Sequence, residues 1–468
     1  MTDVKRGASR RGDVDMTVGS PIRHILYFAA PLLVGNIFQQ LYNTVDAWVV
    51  GNYVSQEAIA AVGSVGPIIN LLVGLFMGFS IGAGVIISQY YGRGDLSAVR
   101  RTVTVAMISS VILCIAVTAV GILMAPTMLR LMKTPDDVFP VSCEYLTIYF
   151  AGVSGLMIYN IGSGILRAVG DSKRPFYYLV VSAVINTVLD LYFVIGLGMG
   201  VAGVAIATVI AQGVSALLVV ITLLVTRSAV RLDLGDVRGV VRAPRESLST
   251  LGEICRVGLP SAIQLALTSF SNIFVQSYIN NFGKEFMSAW TAYSKIDQFI
   301  LLPMQSISVA STTFVGQNLG AGNVERAKGG VRTSLYLGLI GTTVIMLPIM
   351  IFAPSLVAFF IGEPTALGAG AILLRMISPF YLTWCVYQMF AGALRGSGNT
   401  RAVMIISLST FVAFRQVYLF AASTVFPGNE WAIALAYPIG WLAAAIVVCI
   451  YYRRCDLTRH IAREARST

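Results

Sequence analysis

The sequence predicts an all-α polytopic membrane protein, with twelve transmembrane helices built as two six-helix repeats of the same orientation. Three observations carry that prediction. Of the 468 residues, 56% are hydrophobic and only 12% charged, against roughly 25% charged in a soluble protein. Apolar runs long enough to cross the hydrocarbon core as helix, about 20 residues each, recur along the whole chain. The second half of the chain also repeats motifs of the first at a nearly constant offset.

Taken in order, the apolar runs fall near residues 26–50, 60–88, 103–124, 142–167, 176–197, 201–225, 258–281, 287–315, 331–353, 369–394, 402–421 and 431–452. The lipid bilayer is therefore the first partner the chain implies. The net charge of +11 invites a nucleic-acid reading until its position is examined. Of the 33 Lys and Arg residues, 27 lie in the N-terminal tail, in connections following even-numbered spans, or in the C-terminal tail. Only Arg130, Lys133 and Lys284 lie in connections following odd-numbered spans. Cytoplasmic loops carry the Lys and Arg excess, so both termini are expected in the cytoplasm and the basic charge is a topology signal, with no nucleic-acid partner. The first 24 residues, polar and basic, lack the apolar stretch and small-residue cleavage site of a secretory leader. A multi-pass protein of the cytoplasmic (inner) membrane is the expected setting.

The six cysteines show no CxxC spacing and the chain has two histidines, so no thiolate or imidazole metal site is expected. No nucleophile–base set or phosphate loop appears, and neither enzyme chemistry nor a cofactor is predicted.

The repeat sets the organisation. Ser163–Pro175, SGILRAVGDSKRP, aligns with AGALRGSGNTRAV at Ala391–Val403, pairing Gly164, Leu166, Arg167 and Gly170 with Gly392, Leu394, Arg395 and Gly398. SQYYGRGDLSAVR at Ser88–Arg100 aligns with GQNLGAGNVERAK at Gly316–Lys328 at the same offset. Six spans per repeat is an even number, so both halves enter the membrane the same way up. The expected domains are an N-terminal tail at 1–24, a six-helix lobe at 25–226, a cytoplasmic linker at 227–257, a second lobe at 258–452 and a tail at 453–468. Two repeated halves favour alternating access over a static pore.

Charge inside the spans is where function is expected, because an ionisable residue in a membrane helix is costly to insert. On the first span Gln39, Tyr42, Asn43 and Asp46 form one polar stripe by their spacing. On the fifth, Asn186 and Asp190 are four apart and share a face; Asp190 lies roughly 22 Å above Pro175 at 1.5 Å per residue. Asp46 reaches a similar depth, although its place about one turn below Gly51 also fits an interfacial residue. The second lobe carries no acid at the matching positions, Val275, Phe414, Tyr418 and Ala436. Its polar candidates are Gln264, Gln388 and Asp297, the last readable either as attracting a cationic substrate or as pairing with Lys295 or Arg415.

PLLVGNIFQQLYNTVDAWVVG, the GRGD and GAGN blocks, and ILRAVGDSKRP with its partner ALRGSGNTR resemble the multidrug and toxic compound extrusion (MATE) family of cation-coupled antiporters, over nearly all twelve spans. The major facilitator superfamily also has twelve spans in parallel halves, but GRGDLSAVRR departs from its G-x-x-x-D-R-x-G-R motif. The resemblance implies a MATE/MOP-type fold. It is similar to the DinF-like branch, whose coupling site lies in the N-terminal lobe. That branch's pattern falls on Asp46, the Asn186–Asp190 pair, Thr208 and Asn160, with Asn43 beside them on the first span. Neutral oxygens next to two acids suit a hard cation or a proton, so H⁺ or Na⁺ is the implied coupling ion, with no other metal. The implied function is a secondary antiporter exporting amphipathic, cationic organic compounds. Gln39, Tyr42, Gln264, Asp297 and Gln388 are candidates to line the substrate's path. The alternative is a flippase or exporter of a lipid-linked or other anionic amphiphile, which predicts a basic cavity.

Overall fold

A computed structural model describes residues 13–54, 56–132, 134–459 and 461. Its helices are α1 (Pro21–Tyr53), α2 (Gln56–Arg93), α3 (Leu96–Leu131), α4 (Phe139–Ala151), α5 (Val153–Ala168), α6 (Lys173–Asp190), α7 (Gly200–Val225), α8 (Leu234–Arg242) and α9 (Pro244–Asn280). There follow α10 (Gly283–Gly320), α11 (Val324–Ile351), α12 (Ala353–Ala358), α13 (Pro364–Ile377), α14 (Tyr381–Gly396), α15 (Thr400–Ser407), α16 (Arg415–Val425), α17 (Glu430–Ala434) and α18 (Ala436–Arg454). Two π-helical segments, Leu191–Gly196 and Leu408–Phe414, continue α6 and α15. No strand occurs among the described residues.

Eleven helical segments are long and apolar enough to span a membrane, and the bent pair α4–α5 makes a twelfth. An all-α polytopic membrane protein is therefore what the chain forms. The fourth span, expected as one run, turns by 46° at Gly152. A side chain there would meet Val209 at 2.2 Å, so only glycine lets α7 come this close. In the second repeat the tenth span is interrupted by a 3-10 turn at Ser378–Phe380, where Pro379 removes a backbone donor.

The described residues divide into two compact units, those of 13–16 with 34–262, and those of 17–33 with 263–461. In the first, α2 packs on α5, and α5 and α6 on α7. In the second, α10 packs on α11 and α14, and α14 on α18. Outward positions such as Ile112, Ile115 and Leu123 on α3, and Tyr336, Ile340 and Val344 on α11, are exposed apolar side chains. In a bilayer these face lipid, which asks of a helix only that its backbone be bonded internally.

The repeat is written into matching bonds inside each unit. Ser80 Oγ donates to the Asn160 carbonyl at 2.7 Å, and Ser308 Oγ to the Gln388 carbonyl at 2.8 Å. The GRGD and GAGN blocks end α2 and α10 with glycines at φ +81° and +77°. At each, the next residue's N–H reaches back five positions, from Asp95 to Tyr90 and from Asn323 to Asn318. Gly170 and Gly398 do the same for α5 and α14, with Asp171 bonded to Leu166 and Asn399 to Leu394. Only glycine takes that left-handed conformation without steric cost, and the bond satisfies carbonyls the helix end leaves open. Asp95 then accepts from Ala98 N at 3.0 Å, capping α3.

Candidate functional site

The first unit gathers its acids where α1, α4, α6 and α7 meet. Asp46 sits on the last third of α1, and Asp190 ends α6, immediately before the π-helical turn Leu191–Gly196. Single π-turns are frequent at functional positions because they re-aim side chains against the regular helical register. The two carboxyl groups come within interaction range of each other. Asp190 is fully buried and Asn186, one turn earlier, is buried as well. Asn186 Nδ2 donates weakly to Thr208 Oγ1 on α7 at 3.5 Å, and that hydroxyl donates to the Val204 carbonyl at 3.0 Å.

The accounting of donors is one-sided. Asp46 Oδ1, Asn186 Oδ1 and both carboxyl oxygens of Asp190 are buried acceptors without a hydrogen-bond partner. A buried acceptor with no donor is a desolvation cost that native structures rarely carry. A proton shared between the carboxyls removes part of it, and an oxygen-coordinated cation removes more. Among the described residues no three His, Cys, Asp or Glu side chains converge. The local set of two carboxylates, an amide oxygen and a hydroxyl suits H⁺ or Na⁺ by hardness.

Tyrosines wall this group. Tyr42 lies beside Asp46 and hydrogen-bonds the Gln39 side chain. Tyr145 is within electrostatic reach of both acids, its ring stacks on Tyr149 at 6.5 Å, and Tyr149 bonds Gln212. Tyr145, Tyr149 and Gln212 are not marked as site residues by charge or motif. The i, i+4 spacing of the two tyrosines on α4 was the available signal.

Other expected site residues stand apart from the acids. Asn43 turns its amide to Gln40 Oε1 at 3.4 Å on the exposed flank of α1. Asn160 donates to the Leu156 carbonyl at 2.8 Å, within its own helix. In the second unit Gln264 accepts from Arg395 Nη2 at 3.4 Å, while Gln388 is buried on α14. Asp297 accepts from Tyr381 OH at 2.7 Å and Tyr293 OH at 3.2 Å. Among the described residues neither Lys295 nor Arg415 makes an ion pair with Asp297.

The MatE family profile matches residues 31–192 and 260–418, one block in each repeat. The chain belongs to the MATE family. It is a transporter and not an enzyme, as that membership establishes. The transporter is 28% identical over 439 residues to the probable multidrug resistance protein YpnP of Bacillus subtilis, covering 94% of this chain and 96% of that one. It is 23% identical to the FAD transporter of Shewanella oneidensis, covering 94% and 96%. A solved MOP-superfamily transporter from Pyrococcus furiosus superposes with a TM-score of 0.89 at 25% identity, covering 96% of the transporter and 98% of that chain.

Proposed function

We propose that the transporter is a secondary antiporter that exports amphipathic, cationic organic compounds in exchange for H⁺ or Na⁺. Coupling is assigned to Asp46 and Asp190, with Asn186 and Thr208 as neutral oxygen ligands. The observation that carries this reading is the set of four buried acceptor oxygens without donors on Asp46, Asn186 and Asp190. An entering cation or proton satisfies them and a leaving one exposes them again, so ion occupancy changes the energy of the protein's states. A population shift needs such differential binding. An inward ion brings about 2.3 kcal/mol per charge per 100 mV of membrane potential, enough to concentrate a compound outward when ion and substrate compete for opposite states. Both termini face the cytoplasm, and the two repeats alternate access.

The second reading is export of an anionic amphiphile, supported by the full-length similarity to a FAD transporter. Purified transporter in proteoliposomes, given an imposed ΔpH or ΔpNa, separates the two. Gradient-driven movement of a lipophilic cation such as tetraphenylphosphonium, with none of FAD, is the expected result. Movement of FAD alone favours the second reading, and movement of neither under either gradient overturns the first.

A further inference from the structure

The connection from α7 to α9 is fastened to the ends of the spans. Leu232 N donates to the Leu223 carbonyl at 2.8 Å, returning the chain to the last turn of α7 two residues before α8 begins. In that turn Leu224 and Val225 are exposed apolar side chains, so hydrocarbon reaches the level at which α8 starts. The far end of α8 is held beside another span end. Ser247 Oγ donates to the carbonyls of Val240 and Ala243 at 2.8 and 2.9 Å, and Glu246 accepts from Arg101 Nη1 at 2.9 Å. Arg101 stands two residues before the apolar run of α3 that starts near 103, and α8 packs on α3 within the same unit. A nine-residue helix pinned at both ends beside the ends of two spans lies along the membrane surface.

Its outward side is basic and apolar together. Arg238, Val241 and Arg242 are exposed at the three- and four-residue spacing of one helical face, with Val241 71% exposed. Past the break at Ala243, Arg245 and Leu248 in the first turns of α9 are exposed as well, and so is Arg231 just before α8. Among the described residues none of these four arginines is in an ion pair. The acids of the segment are engaged elsewhere. Asp233 accepts from Gly235 N at 3.1 Å, Glu246 is taken by Arg101, and Glu253 accepts from Tyr90 OH at 2.9 Å; Asp236 is half-buried. A face turned only to water gains nothing from Val241 and Leu248. Guanidinium groups beside apolar side chains instead match the phosphates and upper acyl chains of a bilayer surface.

We propose that α8 and the first turns of α9 form a docking surface for anionic phospholipid headgroups of the leaflet at this end of the spans. Arg238, Arg242 and Arg245 bind the phosphates in the bidentate geometry a guanidinium allows, while Val241 and Leu248 rest among the upper acyl carbons. Each arginine near an anionic surface adds an attraction equivalent to about a fivefold change in lipid occupancy, screened as ionic strength rises. Zwitterionic lipid offers the same acyl chains but a phosphate already paired with its own ammonium, so the surface discriminates by net headgroup charge. None of these residues belongs to the group around Asp46 and Asp190, and the surface is independent of what the transporter carries.

The test is lipid contact measured by fluorescence quenching in nanodiscs, on the full-length transporter in a background without native cysteines. Gly239→Cys, where a Cβ meets nothing within 4 Å, carries a bimane label between Arg238 and Arg242. Ile112→Cys, at an exposed apolar position of α3, carries the same label as a control. Phosphatidylglycerol and phosphatidylcholine bearing one nitroxide on the acyl chain near the headgroup are compared at equal mole fraction. At position 239 phosphatidylglycerol is expected to associate about fivefold or more tighter than phosphatidylcholine, and at position 112 to differ by less than about twofold. Salt at about 0.5 M should bring the ratio at 239 toward that at 112. Arg238→Gln, Arg242→Gln and Arg245→Gln together should bring it to the control level, with the unfolding temperature in detergent unchanged. Equal association of the two lipids at 239, or a preference that survives the triple substitution, overturns the proposal. So does quenching by neither lipid, the result for a face turned to the cytosol or covered by a protein partner.

Discussion

At the scale of single residues, the first unit's acids are distinguished by missing partners more than by burial. Asp190→Asn keeps the shape and removes the exchangeable charge, so gradient-driven export should fall to background with normal expression, and Asp46→Asn should do the same. Asn186→Ala removes one unpartnered oxygen beside them; about a tenfold loss in apparent affinity for the coupling ion is expected, the lower end for a supporting metal-site residue. Gln264→Ala and Asn43→Ala lie outside this group and should keep most of the transport. Full export by Asp46→Asn under both H⁺ and Na⁺ gradients would make Asp46 an interfacial residue and sink the coupling assignment. Asp46, Asn186 and Asp190 were legible in the sequence as candidates because polar side chains in an apolar run stand out and helical spacing says which share a face, whereas Thr208 came only from the family resemblance. Asn43 stands apart from the acids for a geometric reason. It lies one residue, about 100° of helical rotation, from Tyr42, and its amide turns to Gln40 on the flank rather than along the stripe. The tyrosines of α4 offered the sequence only their i, i+4 spacing, because only tertiary packing says which rings meet a charge.

At the scale of elements, the repeat's glycines make symmetric predictions. A Cβ on Gly94 or on Gly322 would touch nothing within 4 Å, and both residues have positive φ. Alanine at either position is therefore penalised by backbone conformation alone, by about 1 kcal/mol. The two variants should lower the unfolding temperature in detergent by similar amounts, and a loss at one position only would contradict the shared turn geometry. Gly164 differs, since a Cβ would lie 2.3 Å from Ser80 Oγ, the hydroxyl that bonds the Asn160 carbonyl. Gly164→Ala must displace that bond and the α2–α5 contact, so it should destabilise more than Gly94→Ala in the same measurement. These turns were legible because a glycine followed by Asp or Asn is both a helix stop and the cap of the next helix. The π-helical segments and the bend at Gly152 were not. Each lies inside an uninterrupted apolar run, and choosing a wider turn over a regular one depends on packing that composition does not record.

At the scale of the whole molecule, the distribution of basic residues is the argument with the widest consequence. A helical membrane protein has two orientations with identical internal packing, because helix–helix contacts are indifferent to which face is cytoplasmic. Orientation is instead decided during insertion by Lys and Arg in the short connections. Here the asymmetry is 27 against three. The basic connection from α7 to α9, residues 226–243, carries Arg227, Arg231, Arg238 and Arg242 and includes the short helix α8. It is expected on the same side as the turns at Gly94, Gly170, Gly322 and Gly398, since an even number of predicted spans separates them. The N-terminal chain joins that side too, because Val14 N donates to the Val169 carbonyl at 2.9 Å and Asp13 accepts from Ala229 N at 3.0 Å. Single cysteines at positions 10, 240 and 460 in a background without native cysteines should therefore stay unlabelled by a membrane-impermeant maleimide in intact cells, and react once the membrane is permeabilised. A cysteine at Lys284, beside the turn that joins α9 to α10, should show the reverse. Labelling of position 240 from outside would invert every span, placing Asp46 and Asp190 nearer the cytoplasmic face. The coupling ion would then enter from the wrong compartment for export, and antiport in the proposed direction would fail with the topology.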